Sequence, residues 1–188
     1  MAAFCDSHHR QILRCIGAAS VVLLCAARTF AQDVPEPTLK AAFLYNFVKF
    51  AEWPAEAWAP NIPVTLCVLG DEAVQSELER GVKGHSISGH SLNVIRITID
   101  GALRSCHLLY VTGLDRRRLA QLIALVRDAP VFTVSDFETF ASLGGVSQLF
   151  IENGKVRFAI NPSSAQRARL RLSSKLLALA KLVKDETE

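Results

Sequence analysis

The amino-acid sequence predicts an α/β fold: a single domain with a mixed, mostly parallel β-sheet flanked by helices, followed by a C-terminal β-hairpin and a long C-terminal helix. Two observations predict this class. Short apolar runs alternate with amphipathic helical stretches, and such strand–helix–strand repetition is typical of parallel sheets covered by helices. In addition, Asn153-Gly154 separates two β-rich segments, which is a strong hairpin signal and predicts an antiparallel edge.

The most apolar stretch, residues 39–54, is predicted to be the helix around which the chain is organised. At about 100° per residue, one broad arc points to the core. That arc holds Phe43, Leu44, Phe47, Val48, Phe50 and Ala51. The opposite, available side holds Tyr45, Asn46, Lys49, Glu52 and Trp53. Pro54 is expected to end the helix, because it lacks an N–H and disfavours helical geometry at Trp53.

Strands and helices alternate from residue 64 onward. Residues 64–69 are a short apolar run typical of a buried strand, and Asp71 is the predicted N-cap of a helix that reaches about Arg80. Residues 81–89 are predicted to form a loop. Further strands are predicted over residues 91–99, 106–111 and 131–134, and a helix from Leu114 or Asp115 to Arg127. The inner stripe of that helix holds Leu119, Leu122, Ile123 and Val126.

The C-terminal part is predicted to be a hairpin and one helix. The hairpin strands are residues 146–152 and 155–160. Asn161 is the expected N-cap and Pro162 the first helical residue, as this residue pair favours. Apolar residues then recur every three or four positions towards Val183, which predicts a single long helix packed on the sheet.

Residues 1–31 have the features of a secretory signal peptide. Arg10 and Arg14 precede an apolar run from Cys15 to Ala27, and small residues at positions 29 and 31 favour cleavage after Ala31. The sequence therefore predicts an exported domain of residues 32–188. A retained membrane anchor is the alternative, although the apolar run is short for a bilayer span.

Charge excludes one class of partner. The leader holds three of the 21 basic and one of the 18 acidic residues, so the remaining chain has a net charge of +1. No basic stripe is interleaved with aromatic residues as a nucleic-acid groove requires. We therefore expect no nucleic-acid partner.

Two cysteines, Cys67 and Cys106, remain after the leader is removed. An even pair in an oxidising compartment favours a disulfide, and the two residues fall on strands of the same half of the sheet. Two buried free thiols are the alternative.

No residue pattern indicates an enzyme or a cofactor. His85 and His90 share a flexible loop, but no nearby thiolate or carboxylate completes a metal site. The Gly144-Gly145 turn lacks the spacing of a phosphate-binding loop, and Cys67 and Cys106 are too far apart in sequence for a redox Cys-X-X-Cys motif. We expect neither a catalytic site nor a bound metal.

Several segments together resemble the YfiR-like family of exported bacterial proteins. They are residues 40–54, 66–70, 106–111, 156–161 and 170–177. The resemblance implies a periplasmic module that binds the sensor part of an inner-membrane diguanylate cyclase and holds it inactive, which lowers cyclic-di-GMP and biofilm formation. It also implies sequestration by an OmpA-like outer-membrane lipoprotein, homodimerisation, and a disulfide at Cys67 and Cys106.

Two hypotheses for function follow. In the first, the protein inhibits a membrane signalling protein, and Tyr45, Lys49 and Trp53 bind the partner, since aromatic and long cationic side chains are favoured at interfaces. In the second, it is a periplasmic small-molecule sensor or solute-binding module. Asp71 and Thr112 would then contact the ligand, because ligands bind at the carboxyl ends of parallel strands.

Overall fold

The structure, a computed structural model, describes residues 34–186, so the predicted signal peptide and its cleavage site lie outside the described residues. The first half of the domain consists of α1 (Glu36–Lys49), β1 (Ala51–Glu52), β2 (Val64–Leu69), α2 (Glu72–Val82), β3 (Ser86–Ile87), β4 (His90–Arg96) and β5 (Leu108–Val111). The second half consists of α3 (Arg116–Val126), β6 (Phe132–Ser135), β7 (Ser147–Glu152), β8 (Lys155–Ile160), α4 (Pro162–Arg167), β9 (Arg171–Leu172), α5 (Ser174–Leu179) and β10 (Lys181–Leu182).

The main sheet has eight strands in the order β10-β8-β7-β6-β5-β2-β4-β3. The five central strands β4, β2, β5, β6 and β7 are parallel to one another. Strand β8 is antiparallel to β7, and β3 is antiparallel to β4. Strands β1 and β9 form a separate antiparallel pair. The predicted fold class, a mixed and mostly parallel sheet flanked by helices, is confirmed.

Each face of the sheet carries a hydrophobic core. Because strand side chains alternate between faces, Leu66 and Val68 of β2 pack in the cluster that contains the buried residues of α1 and α2. Cys67 and Leu69 pack in the cluster on the other face, with α3. The predicted inner stripe of α3 is buried throughout.

Helix α1 crosses one face of the sheet and is anchored by aromatic contacts. The ring of Phe47 stacks on Phe132 of β6, with a centroid distance of 5.2 Å. The helix ends at Lys49 and does not reach Pro54, because Ala51 and Glu52 leave helical geometry to pair with β9. The predicted end of this helix is therefore wrong.

The predicted disulfide is present. Cys67 of β2 is bonded to Cys106, which lies just before the neighbouring strand β5, and their Cα atoms are 5.9 Å apart. Both residues are buried in the cluster on the α3 face. The bond therefore joins two adjacent strands inside the core.

The predicted long C-terminal helix is wrong. Asn161 caps α4 as expected, since its Oδ1 accepts a hydrogen bond from the Ser164 N–H at 3.1 Å, but the helix ends at Arg167. Arg169 adopts a left-handed φ of +56°, and the chain then pairs with β1 before Ser173 caps α5. Pairing with a distant strand thus divides the predicted helix into two short ones.

Among residues 34–186, none of the helices combines the length and the apolar character needed to cross a bilayer.

Replacing both Cys67 and Cys106 by alanine should lower the free energy of unfolding by about 2–5 kcal/mol, because the bond closes a long loop and restricts the unfolded chain. Urea unfolding of the oxidised protein, with the bond verified by mass spectrometry, measures the change. Reductant should destabilise the wild type and leave the double variant unaffected. Equal stability of oxidised wild type and variant would contradict a structural role for the bond.

Candidate functional site

The carboxyl ends of the adjacent strands β2 and β5 lie at the topological switch point of the sheet. After β2 the chain forms β4 on one side of it, and then β5 and β6 on the other side. Ligands of open α/β sheets bind next to such a point. The Thr112 N–H donates to the Leu69 carbonyl at 3.0 Å, and Gly70 has a φ of +94°. A Cβ at Gly70 would collide with the Thr112 carbonyl oxygen, so only glycine fits this close approach.

Both residues of the ligand-binding hypothesis lie at this edge, but each side chain already has a protein partner. Asp71 caps α2, with its Oδ1 accepting from the Val74 N–H at 2.9 Å. Thr112 donates through Oγ1 to Asp136 Oδ1 at 2.8 Å. Their contact with a ligand stays a prediction.

Asp136, directly after β6, is the centre of a polar network that we call the Asp136 network, made of Asp136, Lys40, Tyr110 and Thr112. Lys40 Nζ lies 2.7 Å from Asp136 Oδ2 and 2.8 Å from Glu36 Oε1. The Tyr110 hydroxyl donates to the same Oδ2 at 3.1 Å. The network therefore joins α1 to the carboxyl ends of β5 and β6.

Electrostatics keeps this network in one protonation state at neutral pH. Burial on its own would lower the pKa of Lys40, but hydrogen bonds to Asp136 and Glu36 outweigh that effect and raise the pKa above its usual range. Burial on its own would raise the pKa of Asp136, but hydrogen bonds from Lys40 and Thr112 lower it. Burial and the Asp136 carboxylate raise the pKa of Tyr110, so its hydroxyl remains a donor.

Lys40 and Asp136 were not predicted from the sequence as site residues. A signal for Lys40 was present, because it lies four residues before Leu44 on the buried arc of α1, and a cation on that arc requires a partner. Nothing local marks Asp136, which is 96 residues away in sequence.

A cavity of about 210 Å³ lies beside the network. One end is formed by Glu36, Lys40 and Asp136. The walls come from the β7–β8 hairpin: Leu149, Phe150, Ile151 and Val156. An ammonium and a carboxylate above apolar walls can accommodate a small amphipathic molecule.

The α1 surface, which we define as Tyr45 and Lys49, matches its prediction only in part. Lys49 is exposed, and Tyr45 is half-buried with its ring 6.1 Å from that of His85. Trp53 is buried instead of exposed, and its Nε1 donates to the Pro130 carbonyl at 2.9 Å. The chain is extended at Ala51–Glu52, so alternate residues Ala51 and Trp53 point inward, and the helical placement of Trp53 is wrong.

Trp53 belongs to an aromatic cluster around His107, a buried histidine that was not predicted from the sequence as a site residue. Trp53 stacks on Trp58 with a centroid distance of 5.1 Å, and both rings meet His107 edge to face. His107 Nδ1 accepts from the Thr65 N–H at 3.1 Å, so Nε2 carries the proton and donates to the Ala57 carbonyl at 2.7 Å. Burial lowers the pKa of His107, which favours this neutral form.

Within residues 34–186, no three or more His, Cys, Asp or Glu side chains come together as a metal site would require.

Comparison with known proteins shows the family of the chain and solved structures of similar fold. The YfiR/HmsC-like family profile matches residues 37–181. The chain is also similar to a conserved domain protein from Vibrio cholerae O1 biovar El Tor, at 12% sequence identity and a TM-score of 0.53. That match covers 81% of this chain and 61% of the Vibrio chain, and it shows a shared fold.

Asp136→Asn should lower the free energy of unfolding by about 1–3 kcal/mol, because it removes the carboxylate from a largely buried ammonium. The matched control is Glu36→Gln, which neutralises the exposed carboxylate on the same ammonium and should cost much less. Urea unfolding at neutral pH measures both variants.

The Lys40–Asp136 ion pair should also make the free energy of unfolding depend on pH. Because the pKa of Asp136 is lowered in the folded state, its stabilisation is present above the unfolded pKa of about 3.9 and is lost as the pH falls below it. The wild type and Asp136→Asn should therefore converge in stability at acid pH. A constant difference, or an equal loss in Glu36→Gln, would contradict the role of this ion pair.

His107 should make stability fall in mild acid. Its pKa in the folded state is lowered, so the unfolded chain, with a histidine pKa of about 6.5, binds the proton more readily. The free energy of unfolding should decrease as the pH drops through this range. Denaturant unfolding at a series of pH values should show a shallower decrease in His107→Gln than in the wild type. An unchanged decrease in His107→Gln would be the contrary result.

Proposed function

The chain belongs to the YfiR/HmsC-like family, and from that premise we propose that it is a periplasmic regulatory protein that binds and represses an inner-membrane diguanylate cyclase. Repression lowers cyclic-di-GMP and thereby biofilm formation. The family is known in general terms for periplasmic regulators of diguanylate cyclases, and its profile matches residues 37–181. This membership is the observation that carries the proposal.

The disulfide in the core supports a periplasmic location. Disulfides form and persist in oxidising compartments, of which the bacterial periplasm is one, and are rare in the cytosol. The Cys67–Cys106 bond is buried between two strands, as a structural disulfide is. The proposed export by the leader that ends at Ala31 fits this bond.

The α1 surface is the part of the domain that we propose for cyclase binding. The helix is held on the sheet by Phe47 and by the Lys40–Asp136 ion pair, so the backbone that carries Tyr45 and Lys49 has a fixed position. Binding to a preorganised backbone loses little backbone conformational entropy. Trp53 is not included, because it is buried.

Two further partners belong to the same proposal. An OmpA-like outer-membrane lipoprotein would sequester the inhibitor and release the cyclase, and a second copy of the chain would form a homodimer.

The cavity beside the Asp136 network favours a second candidate function, a periplasmic small-molecule sensor or solute-binding module. Lys40 and Glu36 offer a donor and an acceptor at one end of a space of about 210 Å³. Both functions can coexist, because they use different residues of α1. Glu36 and Lys40 line the cavity, whereas Tyr45 and Lys49 form the α1 surface.

Combining Tyr45→Ala with Lys49→Ala should weaken binding to the periplasmic part of the cyclase by about tenfold or more, since hot-spot truncations each cost over 1 kcal/mol. The measurement is titration calorimetry with the purified periplasmic domain of each inner-membrane diguanylate cyclase of the source bacterium.

The matched control is Arg117→Ala with Gln121→Ala, an exposed pair with the same four-residue spacing on α3. This control should bind as the wild type does. Unchanged affinity of the folded α1 variant would exclude the α1 surface, whereas no binding of the wild type to any of these domains would contradict the cyclase proposal itself.

A further inference from the structure

The segment that follows β10 lies along a groove between α3 and the loop of residues 141–144. The Val183 N–H donates to the Ile160 carbonyl, and the Glu186 N–H donates to the Ser142 carbonyl, both at 2.9 Å. None of the residues from 181 to 186 is buried. Polar contacts, and not burial in the core, therefore hold this segment in place.

The carboxylate of Asp185 is bound by two side chains of the groove. Arg167 Nη1 lies 2.8 Å from Asp185 Oδ2, and Arg167 Nη2 lies 3.1 Å from Oδ1. The Asn161 Nδ2 donates to the same Oδ1 at 2.6 Å. A guanidinium that contacts both oxygens, joined by a further donor, matches the planar shape of a carboxylate.

These two side chains are positioned by the domain itself and do not depend on Asp185. Asn161 is fully buried, caps α4 through its Oδ1, and donates to the Ala141 carbonyl at 2.8 Å. Arg167 Nη2 donates to Ser164 Oγ at 2.7 Å. The carboxylate-binding groups would therefore remain assembled if the segment were displaced.

Two more arginines extend the positive charge of the groove. Arg116 pairs with Glu186, and Arg127 lines a cavity of about 240 Å³ that continues beside both carboxylates. We call the site made of Asn161, Arg167, Arg116 and Arg127 the arginine groove. Its charge is complementary to an extended segment that carries neighbouring carboxylates.

The contact made by the chain's own segment is incomplete. Among residues 34–186, the buried Nε of Arg167 has no hydrogen-bond partner. A buried donor without a partner is unfavourable, so a different ligand can satisfy this guanidinium better than Asp185 does.

We propose that the arginine groove binds an acidic peptide segment of a partner protein, and that residues 183–186 occupy the groove in cis as a replaceable ligand. The partner segment presents neighbouring carboxylates on an extended backbone and displaces the chain's own segment. Tyr45 and Lys49 are not part of this groove, so the inference goes beyond the proposed cyclase binding.

The cis contact indicates the affinity at which a test has to work. A segment attached by a short flexible connection has an effective concentration of millimolar order, so a contact formed in cis corresponds to a Kd of about 1 mM or less in trans. The probe is a peptide of residues 183–186, acetylated and amidated at its ends. Its only negative charges are then the carboxylates of Asp185 and Glu186.

The receptor is the full chain with Asp185→Asn and Glu186→Gln, which removes the carboxylates in cis and leaves the arginine groove unchanged. In an NMR titration the peptide should shift the Arg167 Nε–H resonance of this variant. Its apparent affinity should be at least about tenfold higher than for the wild type, because occupation in cis reduces the fraction of competent sites. The backbone spectrum of the same sample reports whether the variant is folded, and Glu186→Gln alone, which alters an exposed side chain, should show a smaller gain.

Three controls separate recognition of a peptide from a general effect of charge. Glu79→Gln with Asp100→Asn makes the same charge change at exposed residues outside the groove and should bind the peptide as the wild type does. The peptide with both carboxylates converted to amides should cause no shift. Sodium acetate at the same carboxylate concentration should cause a much smaller shift than the acidic peptide.

No shift in the folded double variant at about 10 mM peptide would overturn the proposal, because the cis contact implies binding below that concentration. Equal affinity of wild type and double variant would also overturn it. An equal response to acetate would show a general attraction of anions in place of a peptide site. None of these measurements includes the cyclase, so failure here is distinguishable from failure of the proposed function.

Discussion

The ion pair between Lys40 and Asp136 fixes the position of α1, and much of the domain depends on that position. Lys40 lies near the start of the helix, and Asp136 follows β6 and also accepts from Tyr110 and Thr112. Phe47 provides a second anchor by stacking on β6. With two anchors the helix cannot rotate about its axis, so Tyr45 and Lys49 stay on the same side of the domain. The same residues form one end of the cavity beside the hairpin.

Most of the fold could be predicted because its signals are local. The Asn153-Gly154 turn, the caps at Asp71 and Asn161, and the stripe of α3 each depend on a few neighbouring residues. The interruption of the predicted C-terminal helix has no such local signal. Apolar residues do recur every three or four positions, but the chain leaves the helix at Arg169, and Arg171 and Leu172 pair with β1. The spacing of apolar residues does not indicate strand pairing between segments that are far apart in sequence, such as β1 and β9.

The candidate site was predicted less well for the same reason. Asp71 and Thr112 were placed at the correct edge, since the carboxyl ends of adjacent parallel strands must meet. The partner of Thr112 is Asp136, and that of His107 is Ala57, and both depend on tertiary structure. Trp53 was placed on the exposed side because the helix was assumed to continue past Lys49. Once the backbone is extended, the inward direction recurs every second residue, and Trp53 enters the core.

These features describe a sheet domain with a helix anchored on one face, which suits a protein that acts through binding. The most direct test of the regulatory account is the intracellular concentration of cyclic-di-GMP in the source bacterium with this gene deleted and then restored. The account predicts a rise on deletion that restoration reverses. No change, under conditions in which the protein is produced and exported, would contradict repression of a cyclase and favour the small-molecule function.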